Sequence, residues 1–417
     1  MRVCIHRGTR EIGGTCIEVE SGGQRIVLDV GLPLDAKPED VSLHPVPGFD
    51  RPDPSLLGVL ISHGHQDHYG LAHRLPRETR FLVSRAARDI LAAAEVFSPA
   101  GIALENTLEL EDRRPITLGP FTITPYLVDH SAYGAHAALV EAGGKRLFYT
   151  GDLRAHGRKG KLFEWLVRDP PQNVDVLLME GTTIGRPGTE TGFPSETDLE
   201  HRLVRLFQET TGMPLVWCSG QNIDRLVTVF RACKRAGRTL IVDMYTAHIL
   251  RATGNPRIPQ ADWDGVRVFL PASQRRRILR RRAFDVSQLY RQHRIYPDAL
   301  ARAAGRSVML FRPNMMADVD EAHCLDEARV VYSMWPGYLE RQEMQPFLTW
   351  LDRKGMSLEV VHTSGHAGVG DLQRLRTAFG RAVVVPIHSE QGERFEDLFG
   401  NAQRCRDGHW LEGPHRR

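Results

Sequence analysis

The chemistry of this chain is concentrated first in residues 61 to 70, ISHGHQDHYG, where His63, His65, Asp67 and His68 fall within six positions directly after an apolar run. Imidazole nitrogens and carboxylate oxygens are good donors to borderline-hard divalent ions. Alternate residues leaving a strand end converge, and a tight loop brings the next pair around a second point, so the H-x-H-x-D-H spacing offers ligands to two neighbouring ions. The same letters on a solvent-washed loop would need no metal. Here they follow GVLIS, a buried-strand pattern, where four such side chains are costly to place without one.

Further donors stand at equivalent places. His130 ends ITPYLVDH, and Asp152 ends RLFYTGD. Alone, each reads as a turn or capping residue; beside the first cluster, each reads as a ligand. Two ions roughly 3.5 to 4 Å apart can share a hydroxide and polarise a phosphoryl or carbonyl oxygen. Hydrolysis is therefore the expected reaction class, with the substrate still open.

The elements that must position these groups are short β-runs separated by turns. TCIEVES and RIVLDVG flank the turn signal GGQ, AHAALVEA and RLFYTGD flank GGK, and SRAARDILAAAEVF has the spacing of a covering helix. From about Glu196 the rhythm lengthens. PLVWCS reads as a strand, QNIDRLVTVFRACKRAG as a helix with Ile223, Leu226, Val227, Phe230 and Cys233 on one face, and TLIVDMY as the next strand. That βαβ pattern implies a parallel sheet. VMLF and RVVYSMW extend it, and LEVVHTSGHA and AVVVPIH read as two buried strands, each leading to a histidine.

Composition narrows the classes. The 417 residues are 41% hydrophobic and 25% charged, ordinary for a water-soluble globular chain of one large or two medium domains. No apolar run is long enough to span a membrane, and MRVCIHRGTR lacks the apolar core of a signal peptide, so a cytoplasmic protein is expected. The six cysteines form no CxxC pair and read as reduced, structural thiols. A net charge of +3 does not by itself announce a nucleic-acid partner.

The order H-x-H-x-D-H, then His130, then TGD resembles the metallo-β-lactamase fold hydrolases. The resemblance implies one ion on His63, His65 and His130, a second on Asp67 and His68, and Asp152 between them. It also matches Asp29 of VLDVG to the aspartate that orients a ligand histidine. Three later motifs narrow the branch: VLLMEGT with Glu180, HTSGHA with His366, and VVPIHSE with His388 resemble motifs A, B and C of the β-CASP family. That family implies an α/β fold in which a metallo-β-lactamase αββα sandwich carries an inserted β-CASP α/β domain. The expected boundaries are 1–195 and 346–417 for the sandwich and 196–345 for the insertion. Two Zn2+ are the implied cofactors, with Mn2+ as the alternative metal, and His388 would complete the second ion's ligands. His366 would protonate the departing oxygen and Glu180 would hold it oriented, which with Asp67 makes the expected catalytic set.

A histidine in the third motif is typical of the RNA-processing members, so the implied activity is a zinc-dependent ribonuclease using a metal-bridged hydroxide, as an endonuclease or from the 5′ end. GTREIGGTCIEVE and the SGQN segment are most similar to the ribonuclease J branch. Only 29 residues follow His388, too few for that branch's additional C-terminal domain, so the layout is closer to short relatives and to the mRNA 3′-end cleavage endonuclease. The expected partner is single-stranded RNA, with no membrane and with a homo-oligomer left open. Candidate RNA contacts are Ser364 and Gly365; Arg154, Arg158 and Lys159 in DLRAHGRKGK; Gln221 and Asn222 in SGQN; and Arg275 and Arg276 in SQRRRILRRRAF. Trp335 and Tyr338 read as core or interface residues. Competing readings are a DNA-directed nuclease of the same fold, a small-molecule hydrolase, and a catalytically inactive RNA-binding subunit.

Overall fold

The structure is a computed structural model that describes residues 1–186, 188–189 and 191–412. Its contacts divide the chain into two compact units: Met1–Leu91, Ile102–Phe193 and the chain from Gly365 on form the first, and Ala92–Gly101 with Pro194–Ser364 the second.

In the first unit the strands are β1 (Arg2–Arg7), β2 (Cys16–Ser21), β3 (Gln24–Leu28), β4 (Leu56–Leu60), β5 (Phe81–Val83) and β6 (Thr107–Glu109), followed by β7 (Ile116–Leu118), β8 (Phe121–Leu127), β9 (His136–Ala142), β10 (Lys145–Tyr149) and β11 (Val176–Glu180). The second unit contributes β12 (Pro214–Trp217), β13 (Thr239–Asp243), β14 (Val266–Phe269), β15 (Ser307–Leu310), β16 (Arg329–Tyr332) and β17 (Leu358–Val360). The first unit closes with β18 (Val383–Ile387) and β19 (Trp410–Glu412).

Two sheets build the first unit, in the orders β19-β1-β2-β3-β4-β5-β6 and β18-β11-β10-β9-β8-β7. Both expected hairpins form, β2 with β3 and β9 with β10. Their two-residue turns, Gly22-Gly23 and Gly143-Gly144, have φ of 60°, 77°, 56° and 71°, the left-handed region that a primed turn requires and glycine enters freely. Because neighbouring residues of a strand face opposite ways, each sheet sorts its apolar side chains into two layers. Leu28, Leu60, Leu147 and Leu178 face into the core between the sheets. Val27 and Val59 face outward, toward Ala87 and Leu91 of helix Arg85–Ala94. Phe148 and Leu177 face outward from the other sheet, under helices Gly160–Arg168 and Val369–Ala378. The result is an αββα sandwich.

The second unit is one sheet in the order β14-β13-β15-β12-β16-β17, with every pairing parallel. Helix Ile223–Arg235 connects β12 to β13 as its periodicity requires, and its Asn222 cap accepts from the Arg225 amide. The two strands are not neighbours, however, because β15 lies between them and pairs with both. LEVVHTSGHA corrects one expectation. Its strand β17 is half-buried, not buried, because it has a single neighbour, β16, at the sheet edge.

Candidate metal centre

The donors sit at one rim of the sandwich. β3 and β4 run parallel, as do β10, β11 and β18. Their C-terminal ends deliver Asp29, His63, Asp152, Glu180 and His388, and β8, antiparallel to β9 as is β10, delivers His130 to the same edge. Between His63 and the next strand the chain forms a single helical turn, Gln66–Tyr69, capped by His65, which turns Asp67 and His68 back toward the rim.

Backbone bonds hold that turn. The amides of Leu32, Thr15 and Val30 donate to the carbonyls of Gln66, Asp67 and His68 at 2.9, 3.1 and 2.8 Å. The approach is so close that a Cβ on Gly31 would stand 1.8 Å from the Asp67 carbonyl oxygen, so only glycine fits. The GGT and DVG stretches therefore serve the metal loop directly.

Two ligand groups result. The donor atoms of His63, His65 and His130 lie within 4.8 Å of one another, and so do those of Asp67, His68, Asp152 and His388. Asp152 Oδ2 stands 3.2 Å from His68 Nε2, 3.6 Å from His63 Nε2 and 4.0 Å from His130 Nε2, between the two groups. The remote ring nitrogens are already used. His68 Nδ1 donates to Asp29 at 2.7 Å and His130 Nδ1 to the Gly365 carbonyl at 2.6 Å, which leaves each Nε2 on the inner side. His65 Nδ1 and His130 Nε2 point at each other across 3.1 Å.

Asp29 shows how firmly this frame is held. Its φ of 61° is in the left-handed region, and its carboxylate accepts from the Ser62 amide and hydroxyl at 2.7 Å each, from His68, and from the Tyr149 phenol.

The donor set fits divalent ions. Among the described residues, Nε2 of His63, Nε2 of His68 and both carboxylate oxygens of Asp152 are buried without a hydrogen-bond partner, a costly state that metal coordination would relieve. Burial, with the neighbouring histidines, holds the pKa of His63, His65 and His130 below the ordinary value, so these rings are neutral and able to coordinate. Burial opposes ionisation of Asp67 and Asp152 too, yet the surrounding histidines outweigh it and hold both below the usual carboxylate range. For His68 burial acts against the charged form, but the carboxylates of Asp152, Asp29 and Asp67 prevail and raise its pKa well above normal. A bound cation would take over that balancing of negative charge.

His366 borders this centre. Its Nδ1 lies 3.2 and 3.1 Å from the two oxygens of fully buried Glu180 and 3.8 Å from Asp152 Oδ2, and its side chain keeps 19% exposure. Burial lowers its pKa, but Glu180 and Asp152 raise it more, so the net shift is upward.

The structure brings together Asp29, His63, His65, Asp67, His68, His130, Asp152, Glu180, Gly365, His366 and His388. One expected RNA contact needs correction. Arg154 is fully buried and paired with Asp129, so its guanidinium is a structural cation out of reach of a phosphate. Arg158 and Lys159 are half-buried, with Lys159 3.7 Å from Asp129. Ser364, Gln221, Asn222, Arg275 and Arg276 belong to the second unit. There Gln221 donates to the Tyr245 hydroxyl, Asn222 is engaged as a helix cap, and Arg275 and Arg276 are exposed on helix Ala272–Arg281. Trp335 is also corrected: it is 43% exposed, because it opens the short turn Pro336–Glu340. Sequence reasoning passed over Tyr149, Thr182 and Thr183, whose one available signal was their position beside the TGD and MEG motifs.

Comparison with known proteins agrees with this geometry. Residues 24–192 match the family described as Beta-lactamase superfamily domain. Ribonuclease J of Mycolicibacterium smegmatis is 24% identical over 253 residues, which cover 57% of this chain and 43% of that protein. This chain thus spans under half the length of that relative. A ribonuclease of Thermus thermophilus is 26% identical over 445 aligned positions, covering 94% of each chain. A crystal structure of a protein of unknown function from Enterococcus faecalis V583 superposes with a TM-score of 0.77 at 21% identity, over 98% of this chain and 99% of that one, and so shares its fold. The chain thus carries a beta-lactamase superfamily domain over residues 24–192, and its sandwich, interrupting parallel-sheet unit and ordered motifs are similar to those of metallo-β-lactamase fold ribonucleases.

Proposed function

We propose that this protein is a zinc-dependent ribonuclease that hydrolyses phosphodiester bonds of single-stranded RNA in the cytoplasm. The observation that carries the reading is the pair of ligand groups joined at Asp152, with His366 backed by Glu180 at 3.1 Å on their border. A two-metal centre beside a positioned imidazole suits displacement at phosphorus, where charge develops on both the attacking and the departing oxygen. The ribonuclease names of the relatives and the histidine at position 388 favour RNA over DNA.

In this reading His63, His65 and His130 would hold one zinc, Asp67, His68 and His388 would hold the other, and Asp152 would serve both; manganese would suit the same donors. The ions would supply Lewis acidity toward the phosphoryl oxygens and an activated water. Glu180 accepts from Nδ1 of His366, fixes the ring and stabilises its charged form. The opposite ring nitrogen then has a proton to give to the departing oxygen. Arg158 and Lys159 would meet the flanking phosphates, and Arg275 and Arg276 would follow the backbone farther along the strand.

The test is metal analysis joined to incubation with 5′-labelled RNA and a DNA strand of matched sequence, for wild type and His366→Ala. Two zinc per chain, cleavage of RNA in preference to DNA, and its loss in the variant are expected. A wild-type chain that binds no metal and cuts no RNA overturns the reading. The product ladder also separates internal cuts from trimming at the 5′ end.

A further inference from the structure

Glu180 ends β11, and two threonines follow it whose hydroxyls are used differently. β11 and β18 pair in parallel with Glu180 opposite Ile387, so the residues just beyond the two strands leave the sheet side by side. They approach closely: a Cβ on Gly181 would stand 2.7 Å from both the Phe395 ring and the Ser389 hydroxyl, and Ser389 Oγ donates to the Gly181 carbonyl at 3.1 Å. In this junction Thr182 Oγ1 lies 2.8 Å from His388 Nδ1 and 3.4 Å from the His388 carbonyl. Both residues are buried, and His388 has the left-handed φ of 49° that turns its ring back over the junction.

We propose that Thr182 is a positioning residue for the second ion, fixing the tautomer and orientation of His388. The inference rests on the two-ion reading above. If the Thr182 hydroxyl proton goes to the carbonyl of His388, its lone pair accepts Nδ1–H, and the Nε2 lone pair is free on the side of Asp67, whose Oδ2 is 3.2 Å away. The competing partner for Nδ1, Asp152 Oδ1, is 3.9 Å distant, beyond hydrogen-bond range. A ligand histidine held through its remote nitrogen by a fixed acceptor is the arrangement that raises metal affinity. Thr183 supplies the contrast. It is equally buried, yet its hydroxyl donates to the Ala367 carbonyl at 2.6 Å, in the turn that carries His366, and touches no ligand.

The experiment measures zinc per chain and the affinity for each ion, by competition with a graded chelator, in wild type, Thr182→Val, Thr182→Ala, Thr182→Ser and Thr183→Val. Unfolding of the metal-free chains is followed in parallel. In Thr182→Val and Thr182→Ala one ion should stay firmly bound while the other weakens roughly 10- to 100-fold. Thr182→Ser should retain wild-type binding, and Thr183→Val should keep both ions while cutting RNA more slowly. Unchanged affinity for both ions in Thr182→Val and Thr182→Ala overturns the proposal, as does equal weakening in Thr183→Val, which would mean general loosening of the strand end. A wild-type chain holding fewer than two ions overturns the two-ion reading itself, and this inference with it.

Discussion

Two strand-end clusters, one in each unit, treat their buried polar groups in opposite ways. In the first, the strand ends carry histidines and aspartates whose buried atoms lack partners, namely Nε2 of His63 and His68 and both oxygens of Asp152. In the second, the polar groups around Arg225 close on one another. Fully buried Arg225 donates to both oxygens of Glu196 and to the carbonyl of Ser333 beyond β16, Thr228 donates to Glu196, and Ser333 donates to the Val361 carbonyl. Both places bury charge at a sheet edge. What separates them is satisfaction: a closed network costs little to keep and has nothing left to bind with, whereas an open one has donors to offer a ligand.

Substitutions can test that contrast, beginning where the effect should be greatest. His63→Ala removes a donor from the open set, and bound metal together with RNA cleavage should fall to background, measured by elemental analysis and labelled substrate. His366→Ala leaves every donor in place; metal content should hold while the cleavage step slows about 10²- to 10⁴-fold, the usual weight of a general acid. If metal is lost as well, His366 is a ligand and its assigned role is wrong.

Glu196→Ala opens the closed set. An unpaired buried Arg225 should cost about 3–5 kcal/mol of stability, read as a lower denaturant midpoint, with zinc content unchanged. A loss of zinc would show that the two strand edges are not independent. The smallest effect is expected from the double change Arg275→Ala with Arg276→Ala. If both arginines meet phosphates of a single strand, the slope of log affinity against log salt should become shallower by about 1.4. No change in slope would mark that helix face as solvated only.

The sequence was most informative where chemistry is local. The H-x-H-x-D-H spacing, the glycine-paired hairpin turns and the one-faced helix at 223–235 each declare themselves within a dozen residues. Placement of β15 between β12 and β13 did not, since an apolar run states that it is buried but not beside which strand. Arg154 misled for a related reason. Its position beside Asp152 suggested an open cation, and the carboxylate that claims it, Asp129, comes from another strand's end. Tyr149, Thr182 and Thr183 act through hydroxyl groups, and hydroxyls in strand-end stretches are too common to carry a spacing signal.

The pairing of β18 with β11 also has a consequence in time. Asp67 and His388 meet at 3.2 Å although 321 positions separate them, and the whole second unit lies in the chain between. A protein emerges from its ribosome N-terminus first. Five of the donors, from His63 through His130, are therefore made early and must wait, with their buried atoms unmatched, until the last strand of the second sheet arrives. The growing chain thus carries a half-built centre throughout synthesis of the second unit, and completion of the second ligand group reports that β18 has been made and has joined its sheet.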